Sequence, residues 1–342
     1  MSFTGSLKSK RSQMADAKEN KEVYSKKRET DWIRVLFHLQ INVSALISLG
    51  YIFLYGCMWR TLIFSLVLLA LGVLGVTAGS HRLWAHGSYK AKTGLRIFLM
   101  LCQTLIGHGS IYDWVKWHRL HHKYYETDLD PYNPSRGFFY AHILSTTLKL
   151  SPAQEKALEE IDMSDLENDK VVMFQKRWYK VLFIVVALLL PINAPAEYWG
   201  ENLYASTFIA GWLRYTLGIQ ISWLIHSASR IWGLKKGEKF PADTNLVFLI
   251  TKSYWLSYHH LAPWDYQTSE FGKYGTDCPS KFIRVCAALG YASDLKLVDS
   301  RTVRASLIKS VLENKPITDC LLELSEKESL PQEHYLTPDK YY

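Results

Sequence analysis

Four apolar stretches set the terms on which this chain can fold, at about residues 35–55, 61–79, 179–198 and 204–225. Each approaches the roughly 20 residues that a helix needs to cross a bilayer. They fall into two pairs, with short connectors at 56–60 and around 197–202. None is apolar throughout. The first contains His38, Gln40, Asn42 and Ser44, and the fourth contains Arg214 and Gln220, so helices of a buried core are the competing reading. The regular pairing favours an all-α integral membrane protein with four transmembrane helices.

Charge supplies the orientation. The segment before the first stretch is rich in lysine and arginine up to Lys27 and Arg28, as is the long loop after the second; the connector at 197–202 has neither. Cytosolic loops carry that excess, which predicts both termini and the long loop in the cytosol. The resulting plan has a polar tail at 1–31, one domain over 32–320 and a C-terminal tail at 321–342. The domain's cytosolic helical cap is drawn from 80–178 and 226–320. No early apolar run resembles a cleavable signal. Segment 94–112 is apolar but interrupted by Gly107 and Gly109, which predicts an interfacial or re-entrant helix.

The net charge of +8 sits beside apolar segments. That suits an anionic membrane face or an acidic cofactor such as coenzyme A, and not nucleic acid. The cysteines, Cys57, Cys102, Cys278, Cys286 and Cys320, are scattered and form no C-x-x-C pair. Neither a zinc ribbon nor a disulfide framework is expected.

Histidine is the chemistry-bearing residue. It recurs as His81-x-x-x-x-His86, as His118-x-x-His121-His122 and as His259-His260, all outside the apolar stretches. On a helix, positions i, i+3 and i+4 share a face, so His118, His121 and His122 can converge. Imidazole suits iron, copper or zinc. The third group lacks a leading histidine, because Leu256 stands three residues before His259. Glu126, Asp128 and Asp130 are expected to cap helices and orient the histidines. His38, His108 and His142 are expected to serve packing or the surface, with a lining role for His108 left open.

At this point the chain resembles the membrane fatty acyl-CoA desaturases of the stearoyl-CoA type. The likeness runs from about Asp31 to Ser310 and rests on H-R-L-W-A-H from His81, H-R-L-H-H-K-Y-Y-E-T-D-L-D-P-Y-N from His118, I-D-M-S-D-L-E-N-D-K-V-V-M-F-Q from Ile161 and Y-H-H-L-A-P-W-D-Y-Q-T-S-E from Tyr258. It implies four spans and a cytosolic cap with a histidine-box di-iron site in the endoplasmic reticulum membrane. The implied activity is oxidation by O₂ of a saturated fatty acyl-CoA to a cis product, at C9 by analogy. Electrons would come from cytochrome b5 and NADH-cytochrome b5 reductase.

The resemblance also implies ligands. One iron would take His81, His86, His118, His122 and His259, all present. The second would take His121 and His260, but Leu256 and Arg230 replace two histidines, and His226 replaces an asparagine that reaches the metal through water. Leucine cannot ligate and arginine has no lone pair to offer. His226 can be read as a recovered ligand, as a partner of a ligand or as structural. Lys116 and Lys149 would lie near the CoA group, Trp114 matches a tunnel residue, and Ser222 replaces a threonine that shapes the tunnel bend; Trp117 replaces an aspartate. Two functions remain open: a desaturase, with one iron or two, and a catalytically impaired relative that binds lipid or a partner protein. A mononuclear-iron hydroxylase is a third.

Overall fold

The computed structural model of the chain describes residues 28–125, 127–227, 259–260, 262–267, 277–298, 300–315 and 317–325. Glu126, Arg230 and Leu256 lie outside the described residues. The fold is mostly helical. Three helices are long and apolar enough to cross a membrane: α1 (Trp32–Tyr55), α2 (Trp59–Ala85) and, after α3 (Thr93–Ile106) and α4 (Ile111–Lys123), α5 (Lys170–Trp199). A further helix, α6, covers residues 203–227. Beyond it follow α7 (Cys278–Ala288), α8 (Ser300–Glu313) and α9 (Ile317–Ser325). Two short antiparallel strands, β1 (Lys90–Ala91) and β2 (Ala292–Ser293), clip the segment after α2 to that after α7.

Helix α1 starts at Asp31, whose carboxylate caps the Arg34 N–H. Ile33, Leu36, Leu46 and Phe53 on it are exposed, an apolar surface that water would not tolerate over such a length. Ahead of it, the Arg28 guanidinium donates to the carbonyls of Pro131, Ser145, Leu148 and Lys149, and Thr30 pairs with Leu148. The start of α1 is thus fastened to the loop that follows α4.

The fourth expected span, at about 204–225, lies within one helix. Residues 203–227 form a continuous helix of sufficient length, but the helix is not among those apolar enough to cross. The additional candidate is the pair α3 and α4, bent by 81°. The polar residues of α6 are matched inside the bundle. Thr216 donates to the Ile41 carbonyl, and Gln220 bonds Asn42 and His142. Arg214, only 2% exposed, donates to the carbonyls of Ala210, Leu105 and Ala187. Two of these need a donor: Leu105 sits in the last turn of α3, and Ala187 lies four residues before Pro191, which has no N–H to give it.

The bend between α3 and α4 places the second histidine group. Gly107 takes φ +68°, and a Cβ there would lie 2.4 Å from Phe183 and 2.5 Å from Tyr215, so only glycine fits. Gln175 on α5 holds both sides of the bend. Its Oε1 accepts from the Ile111 N–H at the start of α4, and its Nε2 donates to Gln103 and Thr104 on α3. Gln103 donates in turn to the Gly109 carbonyl, and the Gly109 N–H reaches the Tyr179 hydroxyl. The two arms are therefore fixed like a corner, as the glycine interruption predicts.

Candidate metal centre

The first histidine pair lies where α2 changes from an α-helix to a π-helix, over Gly75–Ala85. In a π-turn the N–H of residue i+5 bonds the carbonyl of residue i. The His86 N–H donates to the His81 carbonyl at 3.2 Å, and the two rings lie 4.8 Å apart. Five-residue spacing and π geometry agree, so both imidazoles leave the helix on one side. The second group rides on α4 as expected, with 4.6 Å between the rings of His118 and His122, four residues apart.

His259 completes the cluster. The side-chain nitrogens of His81, His86, His118, His122 and His259 all lie within 4.8 Å of one another. The Nε2 pairs are 2.9 Å for His81 and His259, 2.9 Å for His86 and His118, and 3.1 Å for His122 and His259. A metal about 2.1 Å from each nitrogen separates donors at right angles by about 3.0 Å, so these spacings fit five ligands around one ion. Burial, with the neighbouring histidines adding to it, holds His86, His259 and His260 well below the ordinary imidazole value. They are neutral at pH 7, with lone pairs to offer.

Charged residues brace the cluster. Arg82, between the histidines of the first pair, makes a buried ion pair with Asp277 at 3.4 Å, and Asp277 also caps α7. Arg119, between those of the second group, holds Asp165 through both carboxylate oxygens and donates to the Trp84 carbonyl. Asp169 caps α5, accepts from the Trp84 indole at 3.0 Å and pairs with Arg96. The Ile161–Gln175 word thus acts as a brace for both groups.

His121, His226 and His260 gather beside the five. The His121 ring lies 5.3 Å from that of His226 and 5.2 Å from that of His260. His121 Nδ1 bonds both oxygens of buried Asp130 at 2.9 Å, which leaves Nε2 as the nitrogen with a lone pair; a carboxylate behind a histidine is a usual support for metal ligation. Asp130 plays the expected orienting part, while Asp128 pairs with Arg136. Tyr132 stacks on His226 at 3.8 Å and Tyr125 on His260 at 3.6 Å.

A cavity of about 350 Å³ abuts these rings. It is lined by His38, His108, Trp114, Tyr132, Ile219 and Trp223, among others, and half-buried Arg34 and exposed Asp113 mark where it meets the surface. Trp114 joins cavity to cluster by stacking on His118 at 4.9 Å. Ser222 lies behind the wall, where it bonds His108 Nδ1, and the Trp223 indole donates to His108 Nε2. Lys116 is half-buried on α4 and Lys149 is exposed, paired with Glu29 at 3.4 Å; neither lines the cavity. His108 lines the cavity, the role left open for it; His38, expected at a packing or surface position, lines it as well, whereas His142 packs, bonded to Ser227 and Gln220. Tyr132 was within reach of sequence reasoning, inside the D-P-Y-N word, and Trp223 adjoins Ser222.

No family model matches the chain. Individual proteins do match. The acyl-CoA Delta-9 desaturase of Acheta domesticus is 40% identical over 83% of this chain and 79% of its own length. The acyl-CoA Delta-12 desaturase of Tribolium castaneum is 37% identical over 82% and 79%. The stearoyl-CoA desaturase of Homo sapiens is 35% identical over 84% and 80%. The chain belongs to the acyl-CoA desaturase family. The five clustered histidines could hold a metal ion, and a cavity lies beside them. Several apolar helices also suit a multi-pass membrane protein.

Proposed function

We propose that this desaturase inserts a cis double bond into a saturated fatty acyl-CoA, at C9, in the endoplasmic reticulum membrane. The observation that carries the reading is the contact of Trp114 with His118, which sets the cavity wall directly against the five-imidazole cluster. Iron, held by His81, His86, His118, His122 and His259, would supply the activation of O₂ needed to attack an unactivated C–H bond. The site would have to hold the acyl chain still. Trp114 forms one wall of it, and His108 and Trp223, with Ser222 bonded to His108 from behind, form another. Lys116 and Lys149 would meet the CoA group, and cytochrome b5 with its reductase would deliver electrons to the cytosolic face. The C9 assignment follows the Delta-9 and stearoyl-CoA relatives, while other relatives are named for Delta-11 or Delta-12.

For topology we propose four spans, α1, α2, α5 and α6, with both termini cytosolic. Helix α6 is accepted because its polar groups face partners inside the bundle, where membrane helices carry them. The pair α3 and α4 is then re-entrant or interfacial. Glycosylation tags at the two termini and at 197–202 test this, and a tag modified at either terminus would exclude it.

The decisive test of function is expression in a desaturase-deficient cell, with double bonds located in the products by mass spectrometry. A new C9 cis bond is expected. Products unsaturated elsewhere would correct the position, and none at all from well-expressed protein would exclude the enzyme. One observation favours a second reading, an impaired relative that binds lipid or a partner: Leu256 and Arg230 occupy two expected ligand positions. On that reading the protein keeps its first metal and yields no product.

A further inference from the structure

His226 stands between the two groups of histidines, and its bonds assign it to one of them. Its Nε2 lies 3.2 Å from His118 Nδ1. Its Nδ1 is buried and has no hydrogen-bond partner among the described residues. The ring is 2% exposed and lies flat on Tyr132, at an interplanar angle of 12°. His118 turns its other nitrogen, Nε2, into the five-imidazole cluster, 2.9 Å from His86 Nε2.

A neutral imidazole has one N–H and one lone pair. Metal bound at His118 Nε2 uses that nitrogen's lone pair, so the proton of His118 resides on Nδ1 and points at His226 Nε2. His226 must accept there. Its own proton then occupies Nδ1, and no lone pair is left for a second metal. A purely structural role accounts poorly for the same facts, because an apolar ring could stack on Tyr132 without burying an unsatisfied nitrogen.

We infer that His226 is a positioning residue for the first metal site, fixing the tautomer and ring direction of His118, and is not a ligand of a second metal. This inference rests on the reading of the five imidazoles as a metal site. An outer partner of a metal-bound histidine is worth a 10–100-fold change in metal affinity, which is the scale to be read.

The experiment uses purified full-length protein in detergent, stripped with chelator and titrated anaerobically with Co²⁺. Ligand-field absorption and dialysis report the first dissociation constant and the number of ions bound. His226→Phe should bind its first Co²⁺ about 10–100-fold more weakly with the number of ions unchanged. His226→Asn, whose side-chain oxygen can accept from His118, should restore affinity. If both variants lose one ion at saturation while the first constant holds, His226 is a second-metal ligand and the inference is overturned. If His226→Phe matches the parent in both respects, the role is structural and the inference is overturned alone. His118→Ala is the control for the site itself: if it binds Co²⁺ like the parent, the metal reading falls and takes this one with it. Should His226→Phe not fold, loss of an ion in His226→Asn would still overturn the proposal, and an unchanged constant and number would support it.

Discussion

The His86 N–H closes on the His81 carbonyl across five residues, at 3.2 Å. One π-turn therefore decides where two of the five clustered imidazoles point. An α-turn joins residues four apart and would rotate a fifth residue about 100° further round the helix. Inserting an alanine after Leu83, inside that turn, lengthens the spacing to six, which neither an α-turn nor a π-turn closes. The lengthened protein should lose metal from the first site while the rest of α2 stays helical. Metal analysis beside far-ultraviolet dichroism checks this, and full metal content would show that the π-turn is dispensable.

Asp130 supports His121 with both carboxylate oxygens. Asp130→Asn keeps the shape but offers one acceptor and no charge. Metal affinity at His121, or turnover that depends on it, should fall by about 10–100-fold. Unaltered values for both would remove Asp130 from the site.

Gly107 holds the corner between α3 and α4. Gly107→Ala must place a Cβ against Phe183 and Tyr215 in a left-handed backbone conformation. A loss of about 1–3 kcal/mol is expected, read as a lower melting temperature in detergent. The second histidine group rides on the far arm, so metal retention should fall as well. A melting curve identical to that of the parent would contradict the close approach.

Acid should weaken the metal-free fold through the cluster. His86, His259 and His260 titrate well below 6.5 in the folded chain and near 6.5 once unfolded. Below about pH 6.5 the unfolded chain therefore takes up protons that the folded chain refuses, and stability is lost as pH falls. Each such imidazole contributes up to about 1.4 kcal/mol per pH unit in that window. The apo protein should melt progressively lower from pH 6.5 to 5.5, and a His86→Phe variant should melt with a shallower slope over the same range.

Arg230 and Leu256 offer the test of whether missing ligands limit the enzyme. Arg230→His with Leu256→His should raise desaturation in a deficient cell, with or without His226→Asn. Unchanged product from well-expressed protein would move the limitation to the CoA surface or to Trp117.

Much of the site was legible because one helical face explains it. His118, His121 and His122 lie at i, i+3 and i+4, and α4 presents them together. The corner at Gly107 and Gly109 was legible as a break. The π-turn was not, because the run G-V-T-A-G-S-H-R-L-W-A carries no mark that separates five-residue closure from four. Nor was the bond between His118 and His226, since 108 residues separate the rings and only the tertiary fold brings them together. The lining role of His38 was hidden for the same reason: a histidine on an apolar helix looks alike whether it faces a cavity or a neighbour. How the fourth stretch accommodates Arg214 was not legible, because its acceptors at Leu105 and Ala187 lie on other helices and local composition cannot register that.

The Arg214 contacts reach beyond the finished fold into how the protein is made. An arginine at the middle of a lone helix costs about 2.5–3.5 kcal/mol to insert into a membrane. Its acceptors at Ala187 and Leu105 belong to segments that leave the ribosome earlier. Helix α6 should therefore enter the bilayer as the second arm of a hairpin, waiting on α5, whose Pro191 has left a carbonyl for it. A translation reporter carrying residues 203–227 alone should insert poorly, and one carrying 170–227 should insert well. Arg214→Leu should erase the difference between them.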